Sequence, residues 1–254
     1  MNHFNLEGRV AIVTGGNGGI GLGMAEGMAS AGATVVLAGR NADKGAAAVS
    51  KLEALGATAS FTVLDVTDEA ACHALIDDTV TTYGRLDVLI NNAGTNIRKE
   101  PEDYTLAEWR HILDTNLTSA FVCSQAAYPA MKQSGGGKVI NIGSMFSLFG
   151  ASFSTAYAAS KGGMVQMSKA MACAWAKDNI QVNTVLPGWI DTELTRGARR
   201  DVEGLHDRIE ARTPAGRWGR PDEFAGIAVF LAGTGSDFVT GTVIPVDGGF
   251  AAQG

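Results

Sequence analysis

Cysteine is scarce in these 254 residues: Cys72, Cys123 and Cys173 form no even disulfide set and no metal-ligand pattern. Free thiols in a reducing compartment are the expectation. No run of lysine and arginine stands out and the formal net charge is −6, which argues against nucleic acid as a partner. The opening stretch from Met1 to Glu7 has no basic segment followed by an apolar one, so no signal peptide is expected. No apolar run approaches the roughly 20 residues of a membrane-spanning helix. A cytoplasmic protein without membrane contact is the expectation. The 33 glycines follow no collagen period and no glycine-serine tract, so tight turns must account for them. Nor does any repeat, linker or break in composition divide the chain. Residues 1–254 therefore read as one domain, long enough for a full α/β core.

Short β-branched runs alternate with helical patterns. Strands are expected at Val10–Val13, Thr34–Leu37, Phe61–Leu64, Val88–Ile90, Lys138–Ile142, Gln181–Val185 and Val243–Val246. Their apolar runs are continuous, as in strands buried on both faces. Helices are expected at Gly19–Ala31, Asp43–Leu55, about Leu106–Met131 and about Ala156–Lys177. Strands separated by helices imply right-handed crossovers and a parallel sheet. The last two helices carry little charge and need cover on more than one side. A second subunit is the simplest cover, and the chain's own loops are the alternative. Thr192 to Arg217 is polar, with six arginines and five acidic residues. The segment from about 190 to 217 reads as a substrate lid or as a solvated helix pair.

Between the first strand and helix lies Thr14-Gly15-Gly16-Asn17-Gly18-Gly19-Ile20-Gly21. Glycines admit a diphosphate close to the backbone, and the helix start offers it free N–H groups. Both G-x-G-x-x-G (Gly16, Gly18, Gly21) and G-x-x-x-G-x-G (Gly15, Gly19, Gly21) fit this stretch. Its place between strand and helix is the context of a dinucleotide site. Gly15, Asn17, Gly19, Ile20 and Gly21 are its candidate residues. The second strand ends in Ala38-Gly39-Arg40, where an NAD site would carry an acid. Arg40 suits a 2′-phosphate and favours NADP over NAD, with a plain surface arginine as the alternative. Asp65 could accept from the adenine amino group or cap a loop. Asn92, Ala93 and Gly94 follow the fourth strand. Pro187, Gly188, Ile190 and Thr192 follow the sixth.

Tyr157 and Lys161 are four residues apart, one helical turn, with Ser144 thirteen positions upstream. An ordinary tyrosine, with a pKa of about 10, gives up its proton too reluctantly. A nearby ammonium favours the phenolate and is expected to lower that value. Ser144 could donate to the same reacting oxygen.

On these motifs the chain resembles the short-chain dehydrogenase/reductase family. The likeness rests on Thr14–Gly21, Asn91–Gly94, Ser144 with Tyr157 and Lys161, and Pro187-Gly188. It implies one doubly wound Rossmann domain with a seven-stranded parallel sheet, and usually a homotetramer. It also implies that Asn116 joins the catalytic set by positioning a water beside Lys161. In that scheme Ser144 and Tyr157 contact substrate, Tyr157 and Lys161 also hold the cofactor, and no metal is needed. Within the family the chain is similar to bacterial gluconate 5-dehydrogenases and 2-deoxy- or 2-keto-3-deoxygluconate dehydrogenases. The stretches concerned are Arg98-Lys99, Gly143-Ser144-Met145 and Arg212–Gly219. Hydride transfer between NAD(P) and a sugar acid is the leading expectation, with Arg98, Lys99 or a lid arginine facing a carboxylate. Met145, Phe146, Leu148, Phe149 and Trp189 would instead suit a 3-oxoacyl thioester if they line the pocket. A non-catalytic dinucleotide sensor is the reading from a different class.

Overall fold

Aliphatic runs become strands in the order β1 (Val10–Thr14), β2 (Thr34–Gly39), β3 (Ala59–Val63), β4 (Val88–Asn91), β5 (Gly137–Ile142), β6 (Ile180–Pro187) and β7 (Val243–Val246). The computed structural model describes residues 2–253. All seven strands pair in parallel, in the spatial order β3-β2-β1-β4-β5-β6-β7. From the β3 edge the chain crosses back to lay β4 beside β1. That reversal opens a crevice at the carboxyl ends of the central strands, where ligands of such sheets bind.

Helices α1 (Gly19–Ser30), α2 (Ala42–Ala54), α3 (Glu69–Tyr83), α4 (Leu106–Leu113), α5 (Ser119–Gln133), α6 (Thr155–Trp175), α7 (Glu193–Asp201), α8 (Leu205–Arg212) and α9 (Ala225–Ala232) connect and cover the strands. Alternate strand residues feed two layers. Ala11, Val13 and Leu37 meet Met24, Met28, Leu52 and Leu231 of α1, α2 and α9. Ile12, Val36 and Leu89 meet Leu75, Ile76, Cys123, Met131 and Met171 of α3, α5 and α6. A buried aliphatic side chain of this kind contributes about 1.5–3 kcal/mol, so both layers hold the sheet flat against its helices. Cys72, Cys123 and Cys173 are free.

The sequence pattern did not single out α3 or α9. The long helix expected from Leu106 is two helices joined by a π-helical turn, Asp114–Thr118. Such turns recur at functional sites. Phe121 on α5 is 45% exposed, and Leu106 at the start of α4 is 60% exposed. The polar segment after β6 is not merely solvated. Ala198 of α7 and Leu205 and Ile209 of α8 are buried together with Trp218, Met145 and Phe250.

Candidate active site

The turn from β1 into α1 fits a diphosphate by its backbone. Gly15 and Gly19 have φ of +62° and +53°, conformations that only glycine reaches freely. A Cβ on Gly15 would lie 2.9 Å from the Asn92 amide nitrogen. No side chain caps the N-terminus of α1, so its N–H groups are free for an anion. Gly15, Asn17, Gly18, Gly19 and Ile20 line a cleft of about 530 Å³. Gly16 does not; a Cβ there would lie 2.8 Å from Val13 O. The spacing in use is thus Gly15, Gly19, Gly21. Gly21 itself stands behind the loop, where a Cβ would come within 2.4 Å of Asn92 Nδ2. That amide donates to Thr14 O at 3.0 Å and Gly15 O at 2.9 Å, pinning the loop to the end of β4.

Arg40 is exposed at the end of β2 and lines the cleft. Lys44 on the first turn of α2 also lines it, 2.6 Å from Glu193. Sequence reasoning missed this second cation, because it lies four residues past the usual place. Asp65 lines the same end. It is also a loop cap, accepting from Thr67 N at 3.0 Å and from the Thr67 hydroxyl at 2.8 Å. Those bonds hold its carboxyl below the ordinary range, and the charges of Arg40 and His111 add to this. His111, also unanticipated, therefore belongs to the Asp65 end. Asn92, Ala93, Gly94, Pro187, Gly188, Ile190 and Thr192 all line the cleft. The Thr192 hydroxyl serves as the cap of α7, accepting from Thr195 N at 3.4 Å. These features together fit an NAD(P) dinucleotide: an uncapped helix start, two left-handed glycines and no acid after β2.

Ser144 follows β5 and caps a 3₁₀ turn, Met145–Ser147, its Oγ accepting from Phe146 N at 3.2 Å. Tyr157 sits two residues into α6, and Lys161 one turn further, with its Nζ 5.7 Å from the Tyr157 ring centre. The expected lowering of the phenol pKa by this lysine is not found. Burial dominates and pushes the Tyr157 phenol up, while the Ser144 hydroxyl and the Arg98 guanidinium oppose it. Lys161 instead donates to Ile142 O at 2.6 Å, and burial pulls its ammonium down to about 8.

Asn116 is fully buried in the π-helical turn and does not line the cleft. Its oxygen accepts from Thr95 N at 2.8 Å. Its amide donates to Thr95 O at 2.9 Å and to Ser160 Oγ at 3.0 Å. Its side chain thus ties the loop after β4 to α6. A Cβ on Gly94 would lie 3.3 Å from Asn116 Oδ1 and 3.6 Å from Lys161 Nζ, so the three converge.

The remaining wall is aromatic. Met145, Phe146, Phe153 and Trp189 line the cleft. Phe146 packs edge-on against Phe153, Tyr157 and Trp189, with centres 5.9–6.2 Å apart. Leu148 and Phe149 do not line it: Leu148 is 53% exposed and Phe149 packs on Phe250. Lys99 is also outside, paired with Glu108 at 2.6 Å. Arg98 lines the cleft and reaches α7, donating to Leu194 O at 3.1 Å and Asp201 at 3.2 Å. Four of the six arginines between Thr192 and Arg217 are engaged elsewhere. Arg196 and Arg199 hold Asp191, Arg217 holds Glu223, and Arg212 lies over the rings of Phe149 and Phe250.

Residues 15–251 match a family model described as enoyl-(acyl carrier protein) reductase. A 2-dehydro-3-deoxy-D-gluconate 5-dehydrogenase of Dickeya dadantii is 39% identical over 254 residues, covering 100% of this chain and 99% of its own. A gluconate 5-dehydrogenase of Gluconobacter oxydans is 41% identical over 256 residues, covering 100% of both chains. The chain belongs to the short-chain dehydrogenase/reductase family. It is an NAD(P)-dependent oxidoreductase acting on CH–OH or C=O groups. Among solved short-chain dehydrogenases, a gluconate 5-dehydrogenase of Burkholderia cenocepacia in complex with NADP and tartrate superposes with a TM-score of 0.94. It is 39% identical, with 100% of this chain and 99% of that one covered.

Proposed function

We propose that this enzyme interconverts a secondary alcohol and a ketone on a small sugar acid, with NADP as its preferred cofactor. The observation that carries the reading is the placing of Arg98 in the same cleft as Ser144 and Tyr157, close enough to act on the phenol. A carboxylated polyol meets a fixed cation there. The relatives whose names specify gluconates, and the neighbour holding NADP and tartrate, support the same reading.

Bound NADPH supplies a hydride to the carbonyl carbon, and NADP⁺ accepts one in the reverse direction. Ser144 donates a hydrogen bond to the substrate oxygen, where negative charge develops. Tyr157 gives that oxygen its proton in reduction and removes it in oxidation. Burial keeps the phenol protonated near neutrality, the form that reduction needs. Lys161, mostly protonated at pH 7, holds positive charge one turn away, and would hold the ribose of a bound cofactor on exchanging its bond to Ile142 O. Asn116 is a positioning residue, fixing the loop after β4 against α6 behind Lys161. Gly15, Gly19, Ile20, Ala93, Gly94, Pro187, Gly188, Ile190 and Thr192 border the dinucleotide. Arg40 would hold its 2′-phosphate, and Asp65 would accept from its adenine.

The segment at 190–217 acts as the lid over the substrate end. Leu106 and Phe121, exposed on α4 and α5, support self-association, for which four copies is our reading, and the free thiols support a cytoplasmic setting. Assay of D-gluconate, 2-keto-3-deoxygluconate and acetoacetyl thioesters with both cofactors tests the reading. Turnover of the sugar acids with NADP(H) is expected; turnover confined to the thioesters would refute it. The thioester alternative draws its support from the apolar wall of Met145, Phe146 and Phe153.

A further inference from the structure

Several buried polar side-chain atoms lack any partner in the protein, and three belong to residues lining the cleft: Asn96 Oδ1, Thr115 Oγ1 and Trp189 Nε1. Thr115 is four residues from His111, so it belongs with the Asp65 end. The other two belong to the substrate end. Trp189 packs edge-on against Phe146 at 5.9 Å, and Phe146 packs in the same way on Tyr157 at 6.2 Å. Asn96 reaches the segment that opens α6. One end of its amide meets Ser154 Oγ at 3.1 Å, and Ser154 is fully buried three residues before Tyr157. Ser154 thereby fixes the amide and leaves its other end without a partner. An indole N–H can only donate, and leaving a buried donor with nothing to meet is destabilising. Phenylalanine would fill that aromatic wall without the cost. Such atoms call for an explanation, and a ligand that completes them is the simplest.

We propose that Trp189 Nε1 and the free end of the Asn96 amide are specificity groups that bind hydroxyls flanking the reacting carbon of a polyol acid. The inference rests on the sugar-acid reading and gives it a recognition device. Arg98 alone would accept any small carboxylate. The two unpartnered groups add a requirement for neighbouring hydroxyls, because a substrate lacking them leaves buried polar atoms unpaired. An acyl chain would leave both unmet. Trp189 is further held by edge-on contact with Trp218 at 5.5 Å, so packing limits how far its ring can turn.

The test compares D-gluconate with its 4-deoxy and 6-deoxy analogues, whose missing hydroxyls flank carbon 5. Wild type, Trp189→Phe and Asn96→Ala are each assayed by kcat/KM with NADP⁺. Thermal midpoint and NADPH affinity serve as checks that each variant folds. The expected result is that preference for gluconate over at least one analogue falls by about 10- to 100-fold in each variant. A second readout needs no turnover. In ¹⁵N-indole spectra of the NADP⁺ complex, one of the four tryptophan resonances, the one lost in Trp189→Phe, should shift with gluconate and not with the matching deoxy acid. If wild type oxidises gluconate but the variants keep its full preference and the resonance stays still, the recognition device is refuted and the sugar-acid reading stands. If wild type oxidises no polyol acid at all, both fall together.

Discussion

The wall proposed for a diphosphate is made of backbone, and the wall proposed for the reacting carbon is made of side chains. In the first, Gly15 and Gly19 turn left-handed, the start of α1 stays uncapped, and Asn92 ties the loop to β4. In the second, Ser144, Phe146, Tyr157, Trp189 and Arg98 arrive from separate segments and meet only in three dimensions. The first kind of site tolerates little change in covalent geometry. The second can be retuned one side chain at a time, which is how one fold serves many substrates.

The largest effect should come from violating the backbone wall. Gly21→Val places a side chain where 2.4 Å separates a Cβ from Asn92 Nδ2. NADPH affinity, read by fluorescence titration, should fall by about 100-fold or more, since displacing such a loop by about 1 Å costs on that order. Affinity near wild type would show that the loop is softer than its contacts imply. Next comes the side-chain wall. Ser144→Ala should lower kcat by about 100-fold with little change in NADPH affinity, the usual loss for one donor to a developing oxyanion. Equal losses in kcat and cofactor affinity would erase the distinction between the two walls.

Smaller effects sharpen the boundary. Arg40→Ala should raise KM for NADPH about tenfold and leave KM for NADH nearly unchanged, because only the 2′-phosphate meets the guanidinium. Equal changes for both cofactors would remove Arg40 from phosphate recognition. The mildest prediction concerns Lys161, whose ammonium is held at about 8 against an ordinary value near 10.5. The folded state binds its proton more weakly than the unfolded chain. Stability from this group is therefore complete above about 10.5 and lost as pH falls through about 8. The thermal midpoint of the cofactor-free protein should rise from pH 8 towards pH 10.5 relative to Lys161→Met. Parallel curves for the two proteins would contradict the burial effect.

The same contrast explains what could be read in the sequence. All seven strands were expected in place, and the glycine loop was legible from its position between strand and helix, but the edge strands β3 and β7 are only partly buried where burial on both faces was expected. Backbone requirements leave fixed spacings. The helices α3 and α9 were not picked out: α3 begins acidic and carries mixed residues, while α9 is apolar all round without a polar face to set a period. Sequence alone left Met145, Phe146, Leu148 and Phe149 open between pocket lining and plain packing; the 3₁₀ turn puts Met145 and Phe146 at the cleft and Leu148 and Phe149 outside it. Asn96, His111 and Lys44 had no spacing signal at all, since their roles depend on what other loops bring near. The phenol of Tyr157 gives the clearest lesson. Its distance from Lys161 along the helix was right, yet burial raises the phenol against Ser144 and Arg98, and the lysine turns to Ile142 O.

Steady-state kinetics of Tyr157→Phe, paired with an NADPH titration of the same variant, tests the proton-transfer role directly. The substitution removes one oxygen and keeps the ring that packs on Phe146. Turnover of the best sugar acid should fall by about 10³-fold, within the range of a lost general acid, while NADPH affinity stays within about threefold of wild type. A kcat within tenfold of wild type would contradict the assignment of Tyr157 and with it the chemistry proposed for the cleft.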